Sequence, residues 1–323
     1  MKKFISIVVS LVILTIIYWK IDFPKLVEVF QNCDRLWMVI SLLMVFPLTM
    51  LAAWRLQQLM PSGNRLGFGE ANRLILAASV LNMVLPSKMG DIAKAYFMKE
   101  KGHLHGLLSL SLVVFEKACD MLSLLLWCAF GLILYPQKDW LFWVMTTVVV
   151  FGLIIGILLL TSLKFTHLFF KLSQKILSAK FRPKINKLRL SWEEMHKYFW
   201  QDNYSLFKIA GISIFIWFGH LLQIWFFILA LKAWAPFLAH LALSPLAILA
   251  GLLPLTFAGV GTRDAALIAF YQPYFHAPTA AALGLLCTCR YLLPAIGGLP
   301  FLGQYLTAIK NIRGKQKELN NNS

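Results

Sequence analysis

Charge is what this sequence has least of. Only 14% of its 323 residues are Asp, Glu, Lys or Arg, against about 25% in a soluble domain. Acids are the scarcer half: 14 Asp and Glu face 31 Lys and Arg, a formal charge of +17. Cysteine is sparse and odd in number (Cys33, Cys119, Cys128, Cys287 and Cys289), which excludes a disulfide scaffold. Cys287-x-Cys289 has no second ligand pair nearby, so no metal site is signalled. The sequence also lacks a Walker loop, a paired-His helix and a Ser-His-Asp arrangement. Nothing therefore signals a hydrolase, an ATPase or a cofactor. What abounds is hydrocarbon: 59% of the residues are hydrophobic, more than a soluble chain of this size can hide. Net basicity would ordinarily suggest a nucleic-acid partner. The apolar excess argues against one and for an integral membrane protein whose positive charge sits in loops on one side.

A helix needs about 20 apolar residues to cross roughly 30 Å of hydrocarbon. Six segments qualify or nearly do: 4–19, 36–54, 107–135, 140–163, 209–231 and 280–309. The first follows Met1-Lys2-Lys3 and is not followed by a small-residue cleavage pattern, so it reads as a retained span. Two other apolar stretches are too short. One, 71–87, ends in Leu85-Pro86; the other, 241–257, contains Leu253-Pro254 and runs into Ala258-Gly259-Val260-Gly261. Non-helical backbone at membrane depth is tolerated only where protein or a wet cavity covers it. Re-entrant helical hairpins are therefore expected at about 71–100 and 241–275.

Charge orients this layout. With the N-terminus in the cytoplasm, segments 1–3, 55–106, 164–208 and 310–323 hold 23 Lys and Arg, and the external segments 20–35, 136–139 and 232–240 hold five. The positive-inside rule is obeyed, and Lys117, Arg263 and Arg290 are left at membrane depth. The expected fold is an all-α polytopic integral protein of the inner (cytoplasmic) membrane, one transmembrane domain over 1–323. Its first half is 1–135, its second half 209–309. A basic amphipathic linker, 164–208, and a tail, 310–323, lie in the cytoplasm with both termini.

The hairpin regions resemble each other. Leu85-Pro86 leads to Gly90-Asp91, Ala93, Ala95 and Tyr96; Leu253-Pro254 leads to Gly261-Thr262-Arg263-Asp264, Ala266, Ala269 and Tyr271. Each precedes a long span with a buried charge, Glu116 at 25 residues after Asp91 and Arg290 at 26 after Asp264. The parity of the spans makes the two hairpins opposite in sense, the inverted-repeat plan of many transporters.

These residues, taken in order, carry a family resemblance. Leu81-Asn82, Leu85-Pro86, Gly90-Asp91, Glu116, Asp120, Pro254, Gly259-Val260-Gly261-Thr262-Arg263-Asp264 and Arg290 resemble the lysylphosphatidylglycerol synthase transmembrane-region family. That family includes the flippase half of the bacterial multiple peptide resistance factor. Asp91 stands where the family often has Glu. Phe257-Ala258-Gly259-Val260-Gly261-Thr262-Arg263-Asp264 replaces a usual Pro-Gly-Gly-x-Gly-x-Arg-Glu. Both acids are one methylene shorter, which shifts their reach or their substrate. The resemblance implies translocation of a membrane lipid, not its synthesis. The aminoacyl-transferase domain is not expected, since the chain ends 14 residues after Ile309. It implies Arg290, Arg263, Gly259, Gly261 and Asn82 for head-group binding. Glu116, Asp120, Asp91, Asp264 and Lys117 would balance charge or couple a proton.

The residues themselves permit this chemistry and blander alternatives. Glu116 and Asp120 share a helix face and are costly in hydrocarbon unless paired or protonated. Arg290 is the expected partner and Lys117 the second. Arg290 with Glu116 is read either as a substrate or proton site or as a structural ion pair between repeats. Lys117 either acts there or snorkels. The ring of Pro294 frees the Arg290 carbonyl, and a guanidinium fork suits a lipid phosphate. Gly259 and Gly261 permit close approach to a ligand or simply make a turn. The N–H groups opening helix 262–271 could take an anion. Asp91, near Lys88 and Lys94, and Asp264, near Arg263, bind a substrate amine or cap their helices. His220 and Gln223 relay protons or make a bundle hydrogen bond. The stripes Phe165, Leu168, Phe169, Leu172, Ile176 and Leu188, Trp192, Met195, Phe199 suit an interface with anionic lipid.

Partners expected are membrane lipids with anionic or lipid-linked head groups, a separate lipid-modifying enzyme and a second copy of the chain. The alternatives to a flippase are a lipid-presenting subunit, an intramembrane enzyme acting on lipid, and a small-molecule secondary transporter. The hairpin topology has a direct check: a Lys88→Cys variant should resist a membrane-impermeant thiol reagent added outside intact cells. Ready labelling would exclude a hairpin entering from the cytoplasm.

Overall fold

The computed structural model describes residues 23–84, 90–101, 104, 106–135, 138, 140–176, 182–252 and 260–321. Thirteen helices and one 3-10 turn make up the regular structure among them, with no strand. In chain order they are α1 (Phe23–Gln31), α2 (Arg35–Leu43), α3 (Val45–Leu59), α4 (Phe68–Val84), α5 (Gly90–Lys101), α6 (Gly106–Leu134) and α7 (Trp140–Thr161). There follow α8 (Leu163–Ile176), α9 (Arg182–Phe199), α10 (Asn203–Ala230), α11 (Phe237–Gly251), α12 (Thr262–Tyr271) and α13 (Ala277–Asn321).

Five helical stretches are long and apolar enough to cross a membrane: Arg35–Leu59, Gly106–Leu134, Phe142–Thr161, Tyr204–Ala230 and Ala277–Gly303. They coincide with five of the six expected spans, and the chain is an all-helical polytopic membrane protein. The remaining expected span, 4–19, lies outside the described residues. Arg35–Leu59 runs as one because Met44, between α2 and α3, keeps helical dihedrals. Asp34 starts it, accepting from the Leu36 and Trp37 N–H groups at 2.9 and 3.2 Å.

The two awkward stretches form helix pairs. Helices α4 and α5 have 17 and 12 residues; α11 and α12 have 15 and 10. All fall short of the ~20 residues that a crossing needs. The Leu-Pro breaks of both pairs lie at 85–89 and 253–259, outside the described residues.

Packing exchanges the two halves. The long helix α13, which follows the second pair, packs along α4 of the first, while α6, which follows the first pair, packs along α11 of the second. Glycine allows both approaches. A Cβ at Gly131 of α6 would stand 2.5 Å from the Ala242 carbonyl oxygen of α11. A Cβ at Gly298 of α13 would collide with the Leu76 carbonyl of α4 and meet Val80. Arg73 over the Phe301 ring and Leu76 beside Gly298 set α4 antiparallel to α13.

Two hydrophobic cores result. One gathers Leu56, Leu74, Phe97, Phe115, Phe199 and Ile209 near the α8–α9 end. The other gathers Leu124, Leu221, Phe227, Leu246, Leu267 and Leu283 toward the opposite end. Three N–H groups of α9 lock the first end to α7. Trp192 and Trp200 donate to the Leu159 and Leu160 carbonyls at 2.9 and 2.8 Å, and His196 reaches that of Thr161 at 3.4 Å. These are orphan carbonyls of the last turn of α7, and interfacial indoles suit that depth.

Glycine spacing supplies a test of the fold. Gly298→Ala should lower stability by about 1–3 kcal/mol through overpacking. Gly211→Ala, in open space on α10, should be neutral or gain up to about 1 kcal/mol from helix propensity. Thermal unfolding in detergent reads both.

Candidate functional site

Between the two cores lies a band of polar side chains. On α6 it falls between Phe115 of one core and Leu124 of the other, at Glu116, Lys117 and Asp120. On α10 it falls between Ile209 and Leu221, where Ser213 and His220 sit. On α13 it follows Cys287, at Arg290.

Three cations and three carboxylates form the first part of this band. Arg55 of α3 donates to Glu116 at 2.9 Å, to both Asp120 oxygens and to the Ser213 hydroxyl at 2.9 Å. Lys94 of α5 spans the Glu116 carboxylate at 2.9 and 2.7 Å and pairs with Asp91 at 3.1 Å. Lys117 reaches Asp120 at 3.0 Å and Asp91 at 3.4 Å. Arg55, Lys94 and Glu116 are buried, whereas the Lys117 side chain is 42% exposed. The cluster is formally neutral, with Lys117 as its open edge.

This corrects the expected pairing. Arg290 is not the partner of Glu116 or Asp120; Arg55 and Lys94 are, together with the expected Lys117. The reason is packing: α13 lies along α4, and the helices that meet the carboxylate face of α6 include α3 and α5 through Arg55 and Lys94. Both lie in 55–106, a segment counted as cytoplasmic by charge. A usable signal existed. Arg55 shares the buried stripe of Leu48 and Leu59, and Lys94 that of Asp91 and Met98.

A second ion pair sits at the start of α12. Gly261 adopts φ 101°, a left-handed conformation open to glycine, and its N–H donates to Asp264 at 3.0 Å. Asp264 thus caps its own helix, one of the two readings open to it. Arg263 donates to Asp264 at 2.7 and 3.0 Å, to the Gly284 carbonyl at 2.9 Å and to Thr288 at 2.8 Å. Its Nε and Nη2 lock α12 to α13. Arg263, Asp264 and Gly261 are thus bonded to one another in this conformation. Gly259 lies outside the described residues.

Arg290 is different. It is 4% exposed and donates to the Tyr291 hydroxyl at 2.8 Å and the His220 carbonyl at 3.4 Å. It makes no ion pair with a carboxylate among the described residues, and its Nε has no hydrogen-bond partner. Asn82 has the complementary defect, a buried Oδ1 without a partner. It packs against Gly90, where a Cβ would meet the Asn82 nitrogen at 2.6 Å, and Gly90 leads directly into Asp91 of the cluster. The antiparallel register of α4 and α13 brings residues 82 and 290 to about the same level along their shared axis, within roughly one turn of 5.4 Å. Orphaned buried polar atoms are uncommon in native proteins; Arg55 Nε in the cluster is another here, as are Gln223 Oε1 and Trp225 Nε1.

Helix α10 connects the parts. Ser213 holds Arg55 and the His220 carbonyl holds Arg290, seven residues on, the same face about 10 Å further along the axis. Gln223 donates to the Ser41 carbonyl at 2.9 Å, the bundle bond that was one of its two readings.

One buried network was not expected. His240 Nε2 donates to the Leu221 carbonyl at 2.8 Å, Nδ1 lies 2.8 Å from the Tyr271 hydroxyl, and Ser244 contacts both. These side chains are fully enclosed, and no carboxylate orients the imidazole among the described residues. It staples α10, α11 and α12.

Ion pairs held this deep in a multi-span helical chain define a class, the polytopic membrane proteins with a polar interior. Comparison shows the family. The family model for the lysylphosphatidylglycerol synthase TM region matches residues 3–298, and the chain belongs to that family. Against individually curated proteins it has no match.

The cluster's geometry ranks its members. Glu116→Gln should cost about 3–5 kcal/mol, because the buried Arg55 and Lys94 each lose one of two carboxylate partners. Lys117→Met should cost far less, about 1 kcal/mol or under, since its ammonium is part-solvated. Lys94→Met in the Glu116→Gln background should recover part of the loss. Unfolding in detergent checks the order.

Proposed function

We propose that the protein is a lipid translocase, carrying a phospholipid or lipid-linked head group between leaflets through the polar band while the acyl chains stay in hydrocarbon. The observation that carries this reading is Arg290, a buried guanidinium with an unused donor and no carboxylate paired with it among the described residues. A lipid phosphate supplies the missing charge and accepts from the fork. Asn82, at the same level, accepts from a hydroxyl or amine of the head group. The neutral cluster about 10 Å along α10 is the other wall. Its Lys117 edge exchanges salt-bridge partners as the head group passes, so charge stays matched at each step. The family membership supports a lipid-related role of flippase type.

In this reading the helix pairs α4–α5 and α11–α12 are re-entrant hairpins of opposite sense, and the termini lie in the cytoplasm of an inner-membrane protein. Each long helix rests on the opposite half, so the two halves rock against each other as repeats do in alternating access. Glycine contacts at Gly131 and Gly298 are the fulcra.

Reconstitution tests the proposal. Proteoliposomes carrying fluorescent anionic, cationic and polyprenyl-phosphate lipids should show protein-dependent transfer of at least one of them. Arg290→Ala should reduce that rate by at least about tenfold, the value of one charge-assisted hydrogen bond. Arg290→Lys should retain part of it, keeping the charge and losing the fork. If no lipid moves with the wild type, or Arg290→Ala moves it equally well, the translocase reading fails.

A further inference from the structure

Helix α9 is too polar to count among the five stretches able to cross a membrane, yet its end is buried. Met195 and Phe199 are each 1% exposed. Both enter the core at the α8–α9 end, where Phe199 stacks on Phe115 with ring centroids 3.8 Å apart. That core adjoins the charge cluster on three helices at once. Leu56 follows Arg55, Ala95 follows Lys94 and Phe115 precedes Glu116, and all three belong to it. On α6 its members Leu112, Val113 and Phe115 occupy the interval between the start of the helix and Glu116. Hydrocarbon therefore seals the cluster from the α8–α9 side, and a helix that is not itself a span completes the seal.

What holds α9 there is a set of bonds that water can replace. Trp192, His196 and Trp200, four residues apart and so on one face, present ring nitrogens to the Leu159, Thr161 and Leu160 carbonyls. Carbonyls at a helix end lack intrahelical partners and accept from water as readily, so each bond is worth little net. Leu159 keeps the Thr166 hydroxyl at 3.0 Å even when Trp192 leaves. The bonds inside the cluster are of the opposite kind, since breaking them strands buried charge. At its other side α9 meets α10 through a short joint. Asp202 already caps α10, accepting from the Tyr204 and Ser205 N–H groups at 3.1 and 3.3 Å, which leaves Trp200 and Gln201 to absorb a change of direction. Hinges are commonly a few residues of this sort at an element's end.

We propose that the end of α9 is a gate over the charge cluster. When Trp192, His196 and Trp200 release the carbonyls of α7, α9 turns on the joint before Asp202 and withdraws Met195 and Phe199 from the core. A path then opens from the α8–α9 side to Lys117 and Asp120, whose side chains are 42% and 20% exposed and form the open edge of the cluster. Arg55, Lys94 and Glu116 stay paired throughout, so the gate moves without separating charge. That a head group takes this path rests on the translocase reading; that the path opens does not.

The chain carries its own reporter. Cys119 belongs to the gated core, is 4% exposed and lies one turn beyond Phe115, whereas Cys128 is buried in the opposite core. The purified full chain in detergent is treated with sulfonatoethyl methanethiosulfonate, a small charged thiol reagent, and peptide mass spectrometry follows each cysteine. The double variant Trp192→Phe, Trp200→Phe keeps both rings and removes both donors. It should speed modification of Cys119 at least about fivefold, the low-end worth of two hydrogen bonds, and leave Cys128 unchanged. Phe199→Leu thins the seal without touching the clamp and should also speed Cys119 alone. Unchanged reactivity of Cys119 in either variant would overturn the gate. Equal acceleration of Cys119 and Cys128 would assign general loosening of the fold and overturn it as well. Lipid transfer by the same preparations separates the two proposals: selective opening at Cys119 in a protein that moves no lipid keeps the gate and removes the translocase.

Discussion

Charge neutrality in a dry interior is the constraint on which this structure turns. Glu116 cannot remain ionised at the centre of a helical bundle without cations against it, and a single partner would leave its second oxygen and neighbouring Asp120 unmet. Arg55 and Lys94 both reach it, and Lys117 closes the circuit through Asp120 and Asp91. To bring them there, α3, α5 and α6 must meet at one level, which sets the depth and rotation of each. The cluster therefore specifies register among helices that apolar packing alone would let slide.

The same constraint divides the interior. Hydrocarbon gathers above and below the polar band, giving two cores rather than one. Helix α10 runs through both and carries Ser213 and His220 in the interval between. Where the band reaches α13, the matching stops: Arg290 is buried, cationic and without a paired carboxylate among the described residues. Arg263, 27 residues earlier, shows what a satisfied arginine looks like in this fold, with Asp264, Gly284 and Thr288 all engaged. The contrast between these two arginines is the most informative local feature of the site. It separates a residue that fixes the scaffold from one left with capacity to bind.

Much of the architecture was legible in the sequence. Five spans and both short helix pairs follow from the length and period of apolar runs and from the Leu-Pro breaks. Asp264 beside Arg263, and Lys117 beside Asp120, were legible because their partners are near in the chain. Arg55 with Glu116, 61 residues apart, was not. A cation at the edge of an apolar run reads as the end of a span, and only its phase on the buried stripe distinguishes the two cases. At the start of α12 the nearest anion is Asp264 itself, three residues into the helix and bonded to the Gly261 N–H.

Composition and periodicity by themselves determined that the chain lives in a membrane, which residues are intramembrane charges on α6, α12 and α13, and where the helices break. These are local or additive properties, fixed by transfer free energy and helical geometry. Which charge meets which was decided by tertiary structure alone, because helices far apart in sequence come to one level only when their grooves and glycines fit. Gly298 against Leu76 and Gly131 against Ala242 are those fits. They place Arg290 beside α4 and α10 rather than opposite Glu116, and so leave its charge unspent.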